Sequence, residues 1–299
     1  MIAKLRNVIL LLLMATIAAA EEFSLITNSS DALNDTTLVV EDYVPYPDIL
    51  TGVCCILMML IVLYLHIRIP TIRSIFKCSL PSFLVGMISL YSSLLILYST
   101  DTLNSCSIIG YMIGFSIIVS VYWFSVMCYE SHAAFSGRKL SVIRCCLYGW
   151  GILGAYLVIC LALSNLIEDV RFKPPFAVWI CSFGNDTAML LYYVLPLSFL
   201  MLASFCMLVK TKLRINQFAS QPEDTIRTDT KLDRERFFLT VLISVVLALS
   251  FALNVLSWAF PDNHVLYFLS SVSFYVVGVV IFFLFICNRH VDQWCGRSR

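Results

Sequence analysis

Polar and charged residues divide this chain into seven long apolar runs: Ile49–Ile67, Cys78–Ser99, Ser107–Tyr129, Cys145–Ile167, Ala188–Val209, Phe237–Phe260 and Val265–Cys287. Each has 19–24 residues and none contains Asp, Glu, Lys or Arg. At about 1.5 Å per residue, about 20 helical residues cross a bilayer core of about 30 Å. Isolated strands cannot satisfy their backbone groups in lipid, so runs of this length predict helices. The third run organises the rest. Ser107–Tyr129 is 23 uncharged residues, preceded by Cys106 and closed by Glu130. The pattern predicts an all-α membrane protein, a seven-transmembrane helix bundle over residues 49–287, with a tail at 288–299.

An eighth apolar stretch lies at the N-terminus and reads differently. Lys4 and Arg6 precede a short apolar core, and Ala18 and Ala20 fit a signal-peptidase site. This predicts a secretory signal peptide over 1–20, with an uncleaved membrane helix as the alternative. Residues 21–48 are acidic, lack Lys and Arg, and carry the sequons Asn28-Ser-Ser and Asn34-Asp-Thr. They predict a short, flexible, glycosylated extracellular tail.

Basic residues then orient the bundle. The segments after spans one, three, five and seven hold sixteen Lys and Arg, against Arg171 and Lys173 alone on the other side. Basic residues favour the cytoplasm, so the N-terminus is expected outside and the C-terminus inside. Composition agrees with a membrane protein. The chain is 60% hydrophobic and 13% charged, well above the roughly 45–50% apolar content of soluble domains. Most of the twelve cysteines, among them Cys54, Cys55, Cys78, Cys128, Cys160 and Cys206, fall inside spans, where Cys serves as a small hydrophobe. No C-x-x-C pair, Cys/His cluster or hydrolase motif occurs, so no metal, cofactor, catalytic residue or nucleic-acid partner is expected. No acid lies within a span, which argues against a proton-coupled pump.

With that orientation only Cys106 and Cys181 face the oxidising side, and a disulfide between them is expected, two free thiols being the alternative. Asn185-Asp-Thr in the same loop is a third sequon. Tyr111, Phe115, Tyr122, Trp179, Tyr192 and Trp258 are candidate ligand-lining residues in the outer half, or members of an interfacial aromatic belt. At the inner mouth Glu130 has Arg73, Lys77 and Arg138 as candidate partners for a cytoplasmic switch, or is an ordinary solvated acid at a helix end. Residues 210–236 form the longest inside loop, with seven bases and five acids. Cys295 is a candidate for palmitoylation. Asn254 in span six is placed to hydrogen-bond across helices, and Pro196 implies a kink in span five.

Several local patterns carry a family resemblance. Trp123-Phe-Ser-Val-Met-Cys-Tyr-Glu130 resembles the third-helix W-L-x-V-M-x-F-D of the Methuselah-like receptors, a secretin/adhesion-related branch of G protein-coupled receptors. Tyr148-Gly149-Trp150-Gly151 is similar to their fourth-helix Y-x-W-G, and Cys181 with Tyr192-Tyr193-x-x-Pro196 to their loop cysteine and fifth helix. Lys231–Phe237 and Gly278–Val291 resemble the start of their sixth helix and the end of their seventh. Ser204, Phe251 and Phe274-Tyr-Val-Val-Gly278 stand where that family carries Asn, Trp and N-x-x-Q-G.

The resemblance implies a plasma-membrane receptor that transmits an extracellular peptide or small-molecule signal to a heterotrimeric G protein. The departures keep a second reading open: a coupling-deficient decoy or dimer partner. A seven-helix channel or transporter subunit is the alternative from another class.

Overall fold

The computed structural model describes residues 46–69, 76–99, 106–136, 141–167, 172, 186–219, 229–260 and 263–286. The expected signal peptide, the tail with Asn28 and Asn34, Arg73, Arg138, Trp179, Cys181, Asn185 and Cys295 lie outside them. Among the described residues there are seven helices long and apolar enough to cross a membrane, and no strands. They are α1 (Tyr46–Arg68), α2 (Ser79–Ser99), α3 (Cys106–Phe135), α4 (Val142–Leu166), α5, α6 (Asp229–Ala259) and α7 (His264–Ile286). α5 comprises Asp186–Met189, a π-helical turn at Leu190–Val194, and Leu195–Ala219. The expected seven-helix bundle is thus the observed one.

α3 is the axis. A helix that is apolar all round belongs in a protein interior, and 67% of an 18-residue apolar stretch of α3 is buried, against 17% for that of α4. α2 lies along α3 in the most extensive helix–helix contact, α1 covers α2 and α7, and α5 and α6 close the other side. Outward-facing side chains such as Leu57, Ile61, Ile152, Val158, Phe199, Leu202 and Val245 are exposed on the bundle and meet lipid. α4 touches α3 along a narrow seam. Its buried residues are Gly149, Leu153, Cys160 and Ser164. Gly149 is needed there, because a Cβ would lie 2.5 Å from Cη2 of the fully buried Trp123.

The sequence reading treats 210–236 as one loop, and the structure corrects this. α5 continues to Ala219 and α6 begins at Asp229, leaving 220–228 between them. Lys210-Thr-Lys-Leu-Arg and Lys231-Leu-Asp-Arg-Glu-Arg are sound helix-forming sequences. They carry helices outward from the apolar core. A second correction concerns Cys78. It is not apolar filler but is bonded to Cys146, with Cα atoms 6.4 Å apart, and joins the start of α2 to the start of α4.

The kink expected from Pro196 has a specific form. Proline has no N–H to give the carbonyl four residues back, which here is that of Tyr192. The backbone widens into the π turn just before the proline, where the Leu195 N–H reaches the Leu190 carbonyl. Tyr156 of α4 donates its hydroxyl to the Tyr192 carbonyl at 2.5 Å. Tyr156→Phe should therefore lower the stability of the detergent-solubilised protein by about 1 kcal/mol, the usual scale of an interhelical bond in a membrane protein. The loss should shrink when Pro196→Ala restores a backbone donor. Equal losses in both backgrounds would show that the carbonyl does not depend on Tyr156.

Candidate functional site

Successive residues of an α-helix point about 100° apart, so three in a row address three different neighbours. The last turns of α3 use this. Glu130, only 8% exposed, accepts a hydrogen bond from Ser79 Oγ of α2 at 2.5 Å. Ser131 and Thr240 of α6, both fully buried, share a hydrogen bond between their hydroxyls at 3.0 Å. His132 Nδ1 lies 3.3 Å from Thr211 Oγ1 of α5. One turn on, Arg214 of α5 donates to Ser136 Oγ at 3.0 Å. This one end of α3 is tied to α2, α6 and α5 at once.

Glu130 therefore differs from a solvated helix-end acid: it is buried, and the helix continues past it to Phe135. A carboxylate at membrane depth is costly and is found with partners. Here Lys77 and Arg236 act on it electrostatically, and the Cys78 backbone amide faces it beside Ser79. Lys77 was an expected partner; Arg73 and Arg138 lie outside the described residues. Arg236 was not expected, because the sequence reading leaves it in a loop. Since α6 starts at Asp229, Arg236 sits on the helix one turn before Thr240, whose hydroxyl donates to its carbonyl. The i, i+4 spacing from Arg236 to Thr240 was the signal available for it.

The other half of the bundle holds a cavity of about 50 Å³ between α2, α3, α5, α6 and α7. Met87, Leu90, Ile117, Leu247, Phe251 and Phe274 give it apolar walls; Ser120, Tyr193, Ser250 and Asn254 add polar groups. That is well above the roughly 10–15 Å³ that one ordered water needs on the same measure. The expected cross-helix bond of Asn254 is present: its Oδ1 accepts from Ser270 of α7 at 2.9 Å. Its Nδ2 donates to the Ser250 carbonyl at 2.8 Å, and Ser250 pairs with Ser273 of α7 at 2.9 Å.

Of the candidate ligand-lining residues, Tyr111, Phe115, Tyr122, Tyr192 and Trp258 are half-buried against the core and do not line this cavity. The helical period explains the difference on α3. Tyr111, Phe115 and Tyr122 share one face, while Ile117 and Ser120 lie on the other. Tyr122 meets the Trp123 ring edge-on at 5.8 Å. Tyr193, next to Tyr192, is the tyrosine that reaches the cavity. Cys106 opens α3 as expected, but its side chain is outside the described set, as is Cys181.

The positions that depart from the resemblance form bonds of their own. Ser204 of α5 pairs with Ser125 of α3 at 2.8 Å. Phe251 lines the cavity. The Phe274 carbonyl accepts from Tyr91 Oη of α2 at 2.7 Å.

No protein-family model matches the chain. It is similar to the G-protein coupled receptor Mth2 of Drosophila simulans, 22% identical over 257 residues, and to Mth2 of Drosophila yakuba, 21% over 261. It is also similar to the probable G-protein coupled receptor Mth-like 10 of Drosophila melanogaster, 22% identical over 267 residues. These alignments cover 79% of this chain and 48%, 48% and 46% of the respective relatives. The chain thus spans about half the length of the curated relatives it matches.

Proposed function

The chain is a relative of the Methuselah-like G protein-coupled receptors and a multi-pass protein of the plasma membrane, and on that premise we propose that it is itself a receptor coupling an extracellular ligand to a heterotrimeric G protein. The observation that carries this reading is the three-way attachment of α3. Outward movement of α6 or α5 at the Glu130 end needs the Ser131–Thr240 and His132–Thr211 bonds to break, so that end is a two-state element. The asymmetry of basic residues supports a cytoplasmic position for it, which would leave the N-terminal sequons Asn28 and Asn34 and the proposed Cys106–Cys181 bridge outside. A peptide or small molecule acts from the opposite end, above the Asn254 cavity.

Glu130 with Ser79, Lys77 and Arg236 holds the closed state. A hydrogen bond to a charged group contributes about 1.5–3 kcal/mol, so Glu130→Ala should raise ligand-independent G protein activation about tenfold at matched surface level. Ser79→Ala should raise it less. Unchanged basal activity in Glu130→Ala, with coupling detectable in the parent, would remove Glu130 from the switch.

The substitutions Ser204, Phe251 and Phe274 favour the second reading, a receptor-like chain that has lost coupling. It requires silence toward every G protein class at normal surface level. A chimaera carrying the inner loops of a coupling-competent relative would then signal if the ligand side works.

A further inference from the structure

The Cys78–Cys146 bond lies where the proposed orientation puts the reducing cytosol. Cys78 immediately precedes Ser79, which donates to Glu130, and the Cys78 amide faces the same carboxylate. Cys146 sits in the first turns of α4, the helix with the smallest buried share. Non-covalent contact near this end of α4 is narrow, resting on Gly149 against Trp123. A covalent link between the starts of α2 and α4 is therefore well placed to alter how firmly α4 and Ser79 are held. Disulfides do not persist in the cytosol unless an oxidant forms them, because cytosolic thiols reverse them.

We propose that Cys78 and Cys146 are a reversible oxidation site that clasps α4 to α2 beside the Glu130 contact. In the resting cell the two are thiols. Hydrogen peroxide oxidises them: two S–H bonds and the peroxide O–O bond break, one S–S bond forms, and the protons leave in two waters. Two molecules of a cytosolic thiol return the pair to the reduced state by exchange and leave as their own disulfide. The proposal rests on the orientation above, and the test reads that orientation separately.

A protease site is inserted in segment 100–105 of the full-length chain, between α2 and α3. Cells are treated or not with hydrogen peroxide, blocked with a maleimide, and cleaved. The halves are then separated without reductant. Cys78 is on one half; Cys146, Cys106 and Cys181 are on the other, so a Cys106–Cys181 bridge cannot join the halves. Resting cells should give two separate halves. Peroxide should shift them to one full-length band that dithiothreitol splits. Cys78→Ser and Cys146→Ser should each abolish the shift, and Cys145→Ser should not.

Halves that separate before and after peroxide overturn the proposal. So does a Cys78-dependent full-length band already present in resting cells, which would make the bond a permanent structural one. Cleavage from outside intact cells, together with glycan attachment at Asn28 or Asn34, reports orientation whatever the linkage result.

Discussion

Gly149→Leu should prevent α4 from docking on the bundle. A single Cβ at this position would lie 2.5 and 2.8 Å from Cη2 and Cζ2 of Trp123. The tryptophan cannot step aside: it is fully buried, bounded by Tyr122 on one flank and by Trp150 at 5.6 Å on another. Overpacking a filled site costs about 1–3 kcal/mol for one or two added carbons. Alanine should fall in that range, and leucine, with four, should lie beyond it. Beyond this seam α4 is held mainly by the Tyr156–Tyr192 bond and the Cys78–Cys146 link, so the expected result is a large fall in surface level and in the thermal midpoint of the purified protein. A double-mutant cycle locates the cause. Trp123→Phe removes the ring atoms that meet the Cβ, together with an indole N–H that has no hydrogen-bond partner among the described residues. Gly149→Ala should therefore cost about 1 kcal/mol less in that background. Strict additivity would mean that the seam is not limited at this contact.

Gly278→Ala should be the second most damaging substitution. Its Cβ would lie 2.7 Å from Tyr91 Oη and 3.3 Å from Cys55 Sγ, where α1, α2 and α7 converge. Tyr91 is wholly buried, stacks with Tyr275 at 6.4 Å, and holds the Phe274 carbonyl through the oxygen that would be struck. The substitution adds overpacking to a lost buried hydrogen bond, about 2–4 kcal/mol together. Tyr91→Phe removes the hydroxyl, leaving the nearest contacts at 3.3 Å. Gly278→Ala should be tolerated better there, although Tyr91→Phe alone is destabilising. Thermal unfolding of the four proteins in one detergent checks this. An equal cost of Gly278→Ala in both backgrounds would place the damage elsewhere.

The number of the helices and most of their limits were legible because lipid admits few alternatives. Every observed helix contains most of its apolar run, and Ser107–Tyr129 falls within α3. What hydropathy does not register is a helix that leaves the hydrocarbon, so the far end of α5 and the first turns of α6 read as loop. The α3 hub was legible in part. Glu130 stands out as the first charge after 23 neutral residues, and Lys77 is near in any two-dimensional drawing of the chain. Its closest partner, Ser79, carries no charge and looks like one of many serines in apolar spans. Arg236 is 106 positions away from Glu130 and could be placed only once α6 was known to begin at Asp229. Cys78, 68 residues from Cys146, reads as apolar filler for the same reason: pairing depends on the side-by-side placement of α2 and α4. Gly149 and Gly278 each lie within a resemblance motif, yet nothing in the sequence names the aromatic ring each makes room for.

The inner contacts of α3 also govern which insertions and deletions this helix can survive. Trp123 and Glu130 are seven residues apart, about two full turns, so both lie on the stripe that faces α4 and the start of α2. Adding or removing one residue between them would rotate Glu130, Ser131 and His132 together by about 100° and slide them by about 1.5 Å, separating all three from Ser79, Thr240 and Thr211 in a single step. A change of seven would restore the direction but shift the hub by about 10 Å along the axis, past every partner. The Trp123–Glu130 segment is thus a ruler with one permitted length.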